Sequence, residues 1–396
     1  MKVIIDKSER LWKAPINLCG PMKFTQRRLQ AREVNIIDLD SFMPEPPEKF
    51  LSAEGFEAML KSPTSDVSSA AATCESIEKL KSNLLAYHRS LKATALSKDQ
   101  ELTITPGVRL TTVLLALSLL NRHEVGMYPE PGLPHFRTAI CMAEGTPESY
   151  HLMDNNEYLP SPSLFSGLSK KVKLVFVNFP HNPTGAAPDI YFYRDVLKAV
   201  KLENTLIVAD CAHVHPGDSE IATFLQLANA KKRVVELHSF STTFGIDSLG
   251  FAAGHKNAIM ILNSVISGAG ITLDCRKIDL ASAMMPYSTQ IFENRMKILQ
   301  GRRELLSNAL KSLGWRVRSG RLLPFIWAKA PGLSRSVALS RRLFAKAGIL
   351  TSPGLNFGET GDGWIRFSLC RELDTLKEAI ERISHHSRIW QRKYKP

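Results

Sequence analysis

Short apolar runs alternate with helical segments through the middle of this chain, and this alternation constrains the fold more than any other feature of the sequence. Residues 173–178, 206–209 and 234–238 are rich in valine, isoleucine and leucine. Between the first two of these runs, residues 190–201 carry apolar side chains at helical spacing. Buried apolar strands separated by helices predict an α/β fold, in which a mainly parallel sheet has helices on both faces.

A polar motif accompanies the end of each of these three runs. The first run is followed by FPHNPTG (179–185), the second runs into ADCAH (209–213), and the third is followed by SFSTTFG (239–245). In open parallel sheets, ligands bind at the carboxyl ends of the strands. We therefore expect the three motifs to meet in one pocket.

The three motifs, in this order, resemble those of the class I/II aminotransferases, the fold type I family that uses pyridoxal phosphate (PLP). The resemblance covers about residues 36–385 and implies the fold type I architecture. It predicts an N-terminal arm at residues 1–34, a large cofactor-type domain at 71–285, and a smaller α+β domain at 35–70 and 286–396. It also implies a homodimer with active sites at the subunit interface and an amino-acid-like substrate.

Thr242 stands where the family has its catalytic lysine. In the family the third motif reads SFSKTFG, and the lysine holds PLP as a Schiff base before it moves protons. Threonine has no amine and can do neither, so ordinary transamination is not expected of this chain. The resemblance leaves room for PLP, or for pyridoxamine phosphate (PMP), only without a covalent bond, beside Thr242 and the hydroxyls of Ser239 and Ser241.

Three further residues of the motifs have roles that the resemblance implies. Asn182 matches the asparagine that hydrogen-bonds the ring hydroxyl of PLP, although a turn asparagine that caps local backbone is the alternative. Asp210 matches the aspartate that pairs with the pyridine nitrogen, although an aspartate that caps the next helix or turn is the alternative; without a cofactor, His213 and His181 are candidate partners. His213 replaces a tyrosine and, because histidine titrates near neutrality, is a candidate general acid or base together with Asp210. A surface-loop histidine is the alternative.

The anchors of the cofactor's phosphate are depleted. The position eight residues after Thr242, where the family has an arginine, is Gly250, and residues 66–76 lack the tyrosine that the partner subunit usually supplies. What remains is a predicted helix start at Gly107 and Val108, whose backbone N–H groups suit an anion. Arg109 is a candidate for replacing some of the lost charge, or else an ordinary exposed helix arginine.

Two more positions belong to the expected pocket. The segment YPEPGLPHF (128–136) resembles the family's segment with the ring-stacking tyrosine, but Leu133 stands in that tyrosine's place and offers no π-face. Arg366, in the run WIRFS (364–368), resembles the arginine that grips the substrate's α-carboxylate in a bidentate fork. An internal salt bridge of Arg366 is the alternative.

Four changes thus weaken cofactor retention, and together they favour natural divergence over a single engineered substitution. Three hypotheses follow. The first is an enzyme repurposed for chemistry without a Schiff base on an amino-acid-like carboxylate, in specialised biosynthesis. The second is an inactive member of the family that binds a partner protein. The third is an enzyme that uses PLP or PMP non-covalently.

Composition excludes little else. The chain has 396 residues and a net charge of +13, but its basic residues are spread out and accompany no nucleic-acid-binding motif, so we expect neither specific nucleic-acid binding nor a membrane partner. It shows no signal-peptide pattern and no long apolar stretch, which predicts a cytoplasmic protein. Six scattered cysteines without metal-ligand spacing predict reduced core residues and no metal site.

Overall fold

A computed structural model of the chain describes most of its residues: 8, 10, 13–14, 35–42, 46, 49–52, 55, 57, 70–90, 95–216, 218, 220–332 and 335–387. The predicted N-terminal arm lies almost wholly outside the described residues, as do positions 66–69. Among the residues that the structure does describe, no helix is both long and apolar enough to cross a lipid bilayer.

Strands and helices alternate along the described chain as the sequence predicts. In chain order, the strands are β1 (Ile37–Asp38), β2 (Leu102–Thr105), β3 (Val125–Glu130), β4 (Thr146–His151), β5 (Val172–Asn178), β6 (Leu206–Asp210), β7 (Val234–Ser239), β8 (Gly250–Gly254), β9 (Arg316–Arg318), β10 (Phe325–Lys329), β11 (Ile349–Leu350), β12 (Ser352–Pro353) and β13 (Ile365–Ser368). The α-helices are α1 (Ala70–Ser90), α2 (Val108–Leu119), α3 (Pro134–Met142), α4 (Ile190–Ala199), α5 (Phe240–Phe244), α6 (Lys256–Gly268), α7 (Cys275–Met284), α8 (Ser288–Ser312), α9 (Ser336–Arg342) and α10 (Leu373–His385).

The central sheet has seven strands in the order β2-β8-β7-β6-β5-β3-β4. Strands β3 to β7 run parallel to their neighbours, and only β8 is antiparallel, to both β7 and β2. The predicted mainly parallel sheet is therefore confirmed. The strand order places β5, β6 and β7 side by side, so the three motifs that follow them begin at one edge of the sheet.

Helices cover both faces of this sheet. Alternate residues of each strand point in opposite directions, so each strand contributes side chains to the core on both faces. On one face, Leu174 and Phe176 belong to a cluster with Phe136 of α3, whose ring stacks on that of Phe176 at 5.2 Å. On the other face, Val175 packs in a cluster with Leu84 of α1. Each fully buried side chain of this size contributes roughly 1.5–3 kcal/mol to folding.

A second, antiparallel sheet forms from the C-terminal part of the chain in the order β12-β13-β10-β9, and β1 pairs with β11 beside it. Its core includes Ile326, Phe367 and, from α10, Ile383, all fully buried. These elements correspond to the smaller sheet domain of the aminotransferase fold. The domain boundaries given above remain a prediction.

The FPHNPTG motif packs directly against the loop that follows β9. Gly185 has a positive φ of 86°, and a Cβ atom there would lie 2.2 Å from the backbone nitrogen of Gly320. Only glycine allows both this backbone conformation and so close an approach. The contact fixes the motif against the C-terminal part of the chain, from which Arg366 comes.

Cysteine placement agrees with the prediction where the structure describes it. Cys141, Cys211, Cys275 and Cys370 are buried and free of disulfides. Cys19 and the side chain of Cys74 lie outside the described residues.

Candidate active site

The ends of β5 and β6 are tied together by one asparagine, which brings two of the motifs into register. Asn178 lies opposite Asp210, and its Nδ2 donates to the Asp210 carbonyl oxygen at 3.0 Å. Its Oδ1 accepts from the backbone N–H of Asn182 at 2.9 Å. The motifs therefore meet at the carboxyl edge of the sheet, as expected.

Asp210 ends β6 with its carboxylate buried. Its Oδ1 accepts from the backbone N–H of Ala212 at 2.9 Å, and its Oδ2 lies 3.7 Å from Nε2 of His135. Burial raises the pKa of Asp210 to about 6, which the N–H of Ala212 and the charge of Arg109 only partly offset. A carboxyl group with such a pKa can give or take a proton near neutrality.

The histidine that contacts Asp210 is His135, and the prediction of His213 or His181 in that place is wrong. His181 instead forms a hydrogen bond of 2.7 Å between its Nδ1 and Oγ1 of Thr184. His135 lies in the first turn of α3, and burial lowers its pKa to about 3, so its ring is neutral at pH 7. Its position two residues after Leu133 was visible in the sequence, but the direction in which α3 points it was not.

Arg366 projects from β13 toward Asn182. Its Nη1 donates to Oδ1 of Asn182 at 3.1 Å, and its Nη2 donates to the Asp40 carbonyl oxygen at 3.0 Å and to Oγ of Ser352 at 3.2 Å. The guanidinium also stacks over the ring of Phe325 at 4.0 Å. These contacts hold the guanidinium in place beside Asn182.

His213 is buried, which rules out the alternative of a surface-loop histidine. Its ring packs edge-on against Phe42 and Phe325, at 6.4 and 6.2 Å between centroids. Burial, with a smaller effect of the Arg366 charge, lowers its pKa to about 3. The expected titration near neutrality is therefore wrong for the free protein, and the neutral ring carries a buried Nδ1 without a hydrogen-bond partner among the described residues.

Thr242 lies in α5, directly across from the loop after β6. Its Oγ1 donates to the carbonyl oxygen of Ala212 and lies 3.1 Å from that of Ser239. Arg295 of α8, which the sequence did not single out, donates to the carbonyl oxygens of Thr242 and Thr243. A cavity of about 30 Å³ beside Thr242 has room for a water or two.

The serines of the third motif serve the local backbone. Oγ of Ser239 accepts from the N–H of Ser241 at 3.2 Å, and Oγ of Ser241 donates to the Ile246 carbonyl oxygen at 3.1 Å. Either hydroxyl would have to give up or share this bond to hold a phosphate.

The start of α2 presents uncapped backbone N–H groups, as expected of an anion site. Gly107 precedes the helix with a φ of 84°, and no side chain of the described residues caps it. A Cβ atom at Gly107 would lie 3.5 Å from Cα of Ser248, so Ser248 and not Gly250 faces this turn. Gly250 itself has no room for a side chain, since a Cβ there would lie 2.2 Å from the His238 carbonyl oxygen.

The remaining three predicted positions flank these groups. Arg109 is an exposed arginine on α2, which was the alternative given above. Its charge nevertheless lowers the pKa of both Asp210 and His135. Val108 is buried. Leu133 is half-buried immediately before α3 and packs against the core clusters of both faces of the sheet.

The donor set fits part of PLP. The buried carboxyl of Asp210 suits a pyridine nitrogen, and the uncapped helix start at Gly107 suits a phosphate. Thr242 cannot supply the amine of a Schiff base. The residues present therefore fit a cofactor held non-covalently, and they do not fit one held by a lysine.

A mixed sheet of this order, with a smaller sheet domain and polar motifs at the ends of β5 to β7, defines a protein of the aminotransferase fold. The sequence profile described as "Aminotransferase class I and II" matches residues 57–383. The chain therefore belongs to the class I and II aminotransferase family, whose members use PLP.

Known relatives match over nearly the whole chain. An LL-diaminopimelate aminotransferase of Natranaerobius thermophilus is 27% identical over 393 residues, which cover 96% of this chain and all of the relative. The transaminase BacF of Bacillus subtilis is 27% identical over 310 residues, or 77% of this chain and 78% of BacF. A substrate-bound BacF structure superimposes with a TM-score of 0.85 at 24% identity, covering 97% of this chain and 98% of that one. The chain is thus an aminotransferase-like enzyme in sequence and fold.

Asp210→Asn is expected to stabilise the protein at neutral pH. Because burial raises the pKa of Asp210 from 3.8 to about 6, the unfolded chain loses this proton between about pH 4 and pH 6 while the folded chain keeps it. The free energy of unfolding therefore falls as the pH rises through that window, by up to about 3 kcal/mol. Asparagine removes this penalty and can still accept from the N–H of Ala212.

Thermal unfolding of both proteins at pH 4 and pH 7 measures the effect. The variant should melt higher than the wild type at pH 7, and its advantage should be much smaller at pH 4. An equal difference at both pH values would contradict a raised pKa of Asp210.

Proposed function

We propose that this chain is an aminotransferase-like enzyme that binds an amino-acid-like substrate by its carboxylate at Arg366 and moves protons without a lysine Schiff base. The observation that carries the proposal is the contact between Arg366 and Asn182, which joins a stacked, held guanidinium to the motif beside Asp210. A family member that had lost all ligand binding would not need to keep this group fixed in the pocket. Arginine presents two parallel N–H donors to a carboxylate, which fixes the ligand's orientation as well as its charge.

Two residues are candidates for the proton transfers. Asp210, with a pKa of about 6, is present in both protonation states near neutrality. His213 is neutral at pH 7 and packs near Arg366, so it is placed to accept a proton from a bound ligand. A carboxylate bound to Arg366 would offset the charge that helps keep the pKa of His213 low, and so would make the ring a better base.

Non-covalent use of PLP or PMP is the second candidate, and the uncapped start of α2 favours it. The backbone N–H groups at Gly107 and Val108 would hold the phosphate, Asp210 the pyridine nitrogen, and Nδ2 of Asn182 the ring hydroxyl. When bound, the cofactor supplies an electron sink for chemistry at the substrate's α-carbon. His213 would then carry the protons that the family's lysine carries elsewhere.

An inactive protein that binds a partner is the remaining alternative. The small cavity beside Thr242 is compatible with it. The names of the relatives, which are aminotransferases, support an enzyme instead. The proposal includes that this chain forms a homodimer, as its family does. Light scattering of the purified protein measures the mass of the particle directly.

A ligand panel tests the proposed function. We expect saturable binding by calorimetry for at least one α-amino acid or 2-oxo acid, with LL-diaminopimelate first in the panel because relatives are named for it. The matching primary amine or aldehyde without the carboxylate is the control ligand and should not bind. If no carboxylate binds, and none is turned over with or without PLP, the proposal is wrong.

The absorbance spectrum with added PLP or PMP separates the two candidates. A saturable, protein-induced band that sodium borohydride does not fix to the protein would support non-covalent cofactor use. Carboxylate binding with no such band would support chemistry without the cofactor.

A further inference from the structure

A second group of polar side chains lies on the opposite face of the sheet from Asp210. Cys211 directly follows β6, while Glu236 and His238 alternate along the neighbouring strand β7. All three side chains are buried in the face that packs against α1. Neither the proposed proton transfers nor the carboxylate site uses them.

These side chains converge on one point. One ligand-type atom from each of Cys211, Glu236 and His238 lies within 4.8 Å of the other two. Oε2 of Glu236 and Nε2 of His238 are 3.2 Å apart, and Oε1 of Glu236 accepts from the backbone N–H of Leu225 at 2.9 Å. The ring of His238 is fixed by parallel stacking on Phe251 at 4.4 Å.

His88 of α1, the helix that packs on this face of the sheet, lies next to this group. It is only 4% exposed, and its ring lies edge-on to that of His238, at 6.1 Å between centroids. Both of its ring nitrogens are buried, and neither has a hydrogen-bond partner among the described residues. Buried imidazole nitrogens normally have a partner, so an unsatisfied histidine beside a carboxylate and a second imidazole points to a ligand.

We propose that Cys211, Glu236 and His238, with His88 as the fourth ligand, form a buried structural site for a zinc ion. Thiolate, imidazole and carboxylate are the ligands that zinc prefers, and four of them give the closed tetrahedral shell of a structural site. The 3.2 Å between Glu236 and His238 matches the edge of roughly 3.3 Å between two ligand atoms held about 2.0 Å from a tetrahedral zinc ion. The cysteine sulfur, which lies within 4.8 Å of the other two atoms, would move closer by roughly one ångström as the ion binds.

The charge of the zinc ion and the proton of Cys211 are also accounted for in this site. Burial and the nearby carboxylates raise the pKa of the Cys211 thiol, so without a metal the sulfur keeps its proton. Zinc replaces that proton, which is released to solvent as the ion binds. Spacing along the chain did not indicate the site because its ligands come from α1, the end of β6 and alternate positions of β7.

The metal content of the full-length protein tests the site. Because the group is enclosed, the wild type is analysed by mass spectrometry of its metals both as purified and after refolding with zinc chloride. We expect about one zinc ion per chain, as for a closed four-ligand site. Cys211→Ser should lose the ion, while Cys141→Ser, which alters a buried free cysteine in α3, should retain it.

Spectroscopy of the wild type keeps the test independent of whether Cys211→Ser folds. Refolding with cobalt(II) should give a thiolate-to-cobalt charge-transfer band, and X-ray absorption of the zinc form should show one sulfur at about 2.3 Å with nitrogen and oxygen ligands. A protein free of metal under both conditions, a metal without sulfur, or a charge-transfer band that survives in Cys211→Ser would overturn the proposal.

Discussion

Replacing Thr242 by lysine is expected to give the protein a covalently bound PLP, from none to close to one per chain. The side chain at this position points from α5 to the Ala212 carbonyl oxygen, beside the carboxyl of Asp210. A lysine there would bring its amine to the same end of β6 as the group that suits the pyridine nitrogen. The small cavity next to Thr242 takes up part of the added length, so the overpacking cost should stay within about 1–3 kcal/mol.

Intact-protein mass spectrometry after incubation with PLP and borohydride reduction measures this result. Thr242→Met is the matched control, since it adds an unbranched side chain without an amine and should capture nothing. If Thr242→Lys folds, as judged by circular dichroism, and yet gains no cofactor mass, then Asp210 and the start of α2 do not seat PLP. Cofactor use would then be excluded for the natural chain as well.

Arg366→Ala is expected to weaken binding of the best carboxylate ligand roughly 100-fold, or by about 3 kcal/mol, because two charge-assisted hydrogen bonds are lost. Calorimetry with the ligand found in the panel measures the change. Arg366→Lys keeps the charge and loses the fork, so it should fall between the wild type and alanine. An unchanged affinity in Arg366→Ala would remove this residue from the site.

Arg318→Ala is the matched control for that series. Arg318 comes from the same sheet, on β9, but donates to Oδ1 of Asp154 at 2.7 Å, and its contacts among the described residues do not include Asn182 or His213. Its loss should leave ligand binding unchanged. Arg366 also donates to the Asp40 carbonyl oxygen and to Ser352, so a lower melting temperature is expected of Arg366→Ala and must be separated from affinity by measuring binding well below that temperature.

Much of this molecule follows from its sequence alone. Periodicity and β-branched runs are local properties, and they predict β5, β6, β7 and α4 to within two residues. The convergence of Asn182, Asp210 and Thr242 was also predictable, because residues that directly follow parallel strands share one edge of the sheet. The loss of the Schiff-base lysine needed only the order of the motifs.

Tertiary structure decided the environment of those residues. His213 became a buried, neutral ring because Phe42 and Phe325, from distant parts of the chain, pack around it. The partner of Asp210 became His135 because of the direction in which α3 crosses the sheet.

The group around Glu236 arose in the same way, because a helix and two strands face each other across one layer of the core. The pKa of a residue, its hydrogen-bond partner and the ligands of a metal site all depend on which side chains, distant in sequence, are packed together. Strand order and helix packing determine that, and no local pattern in a single sequence records it.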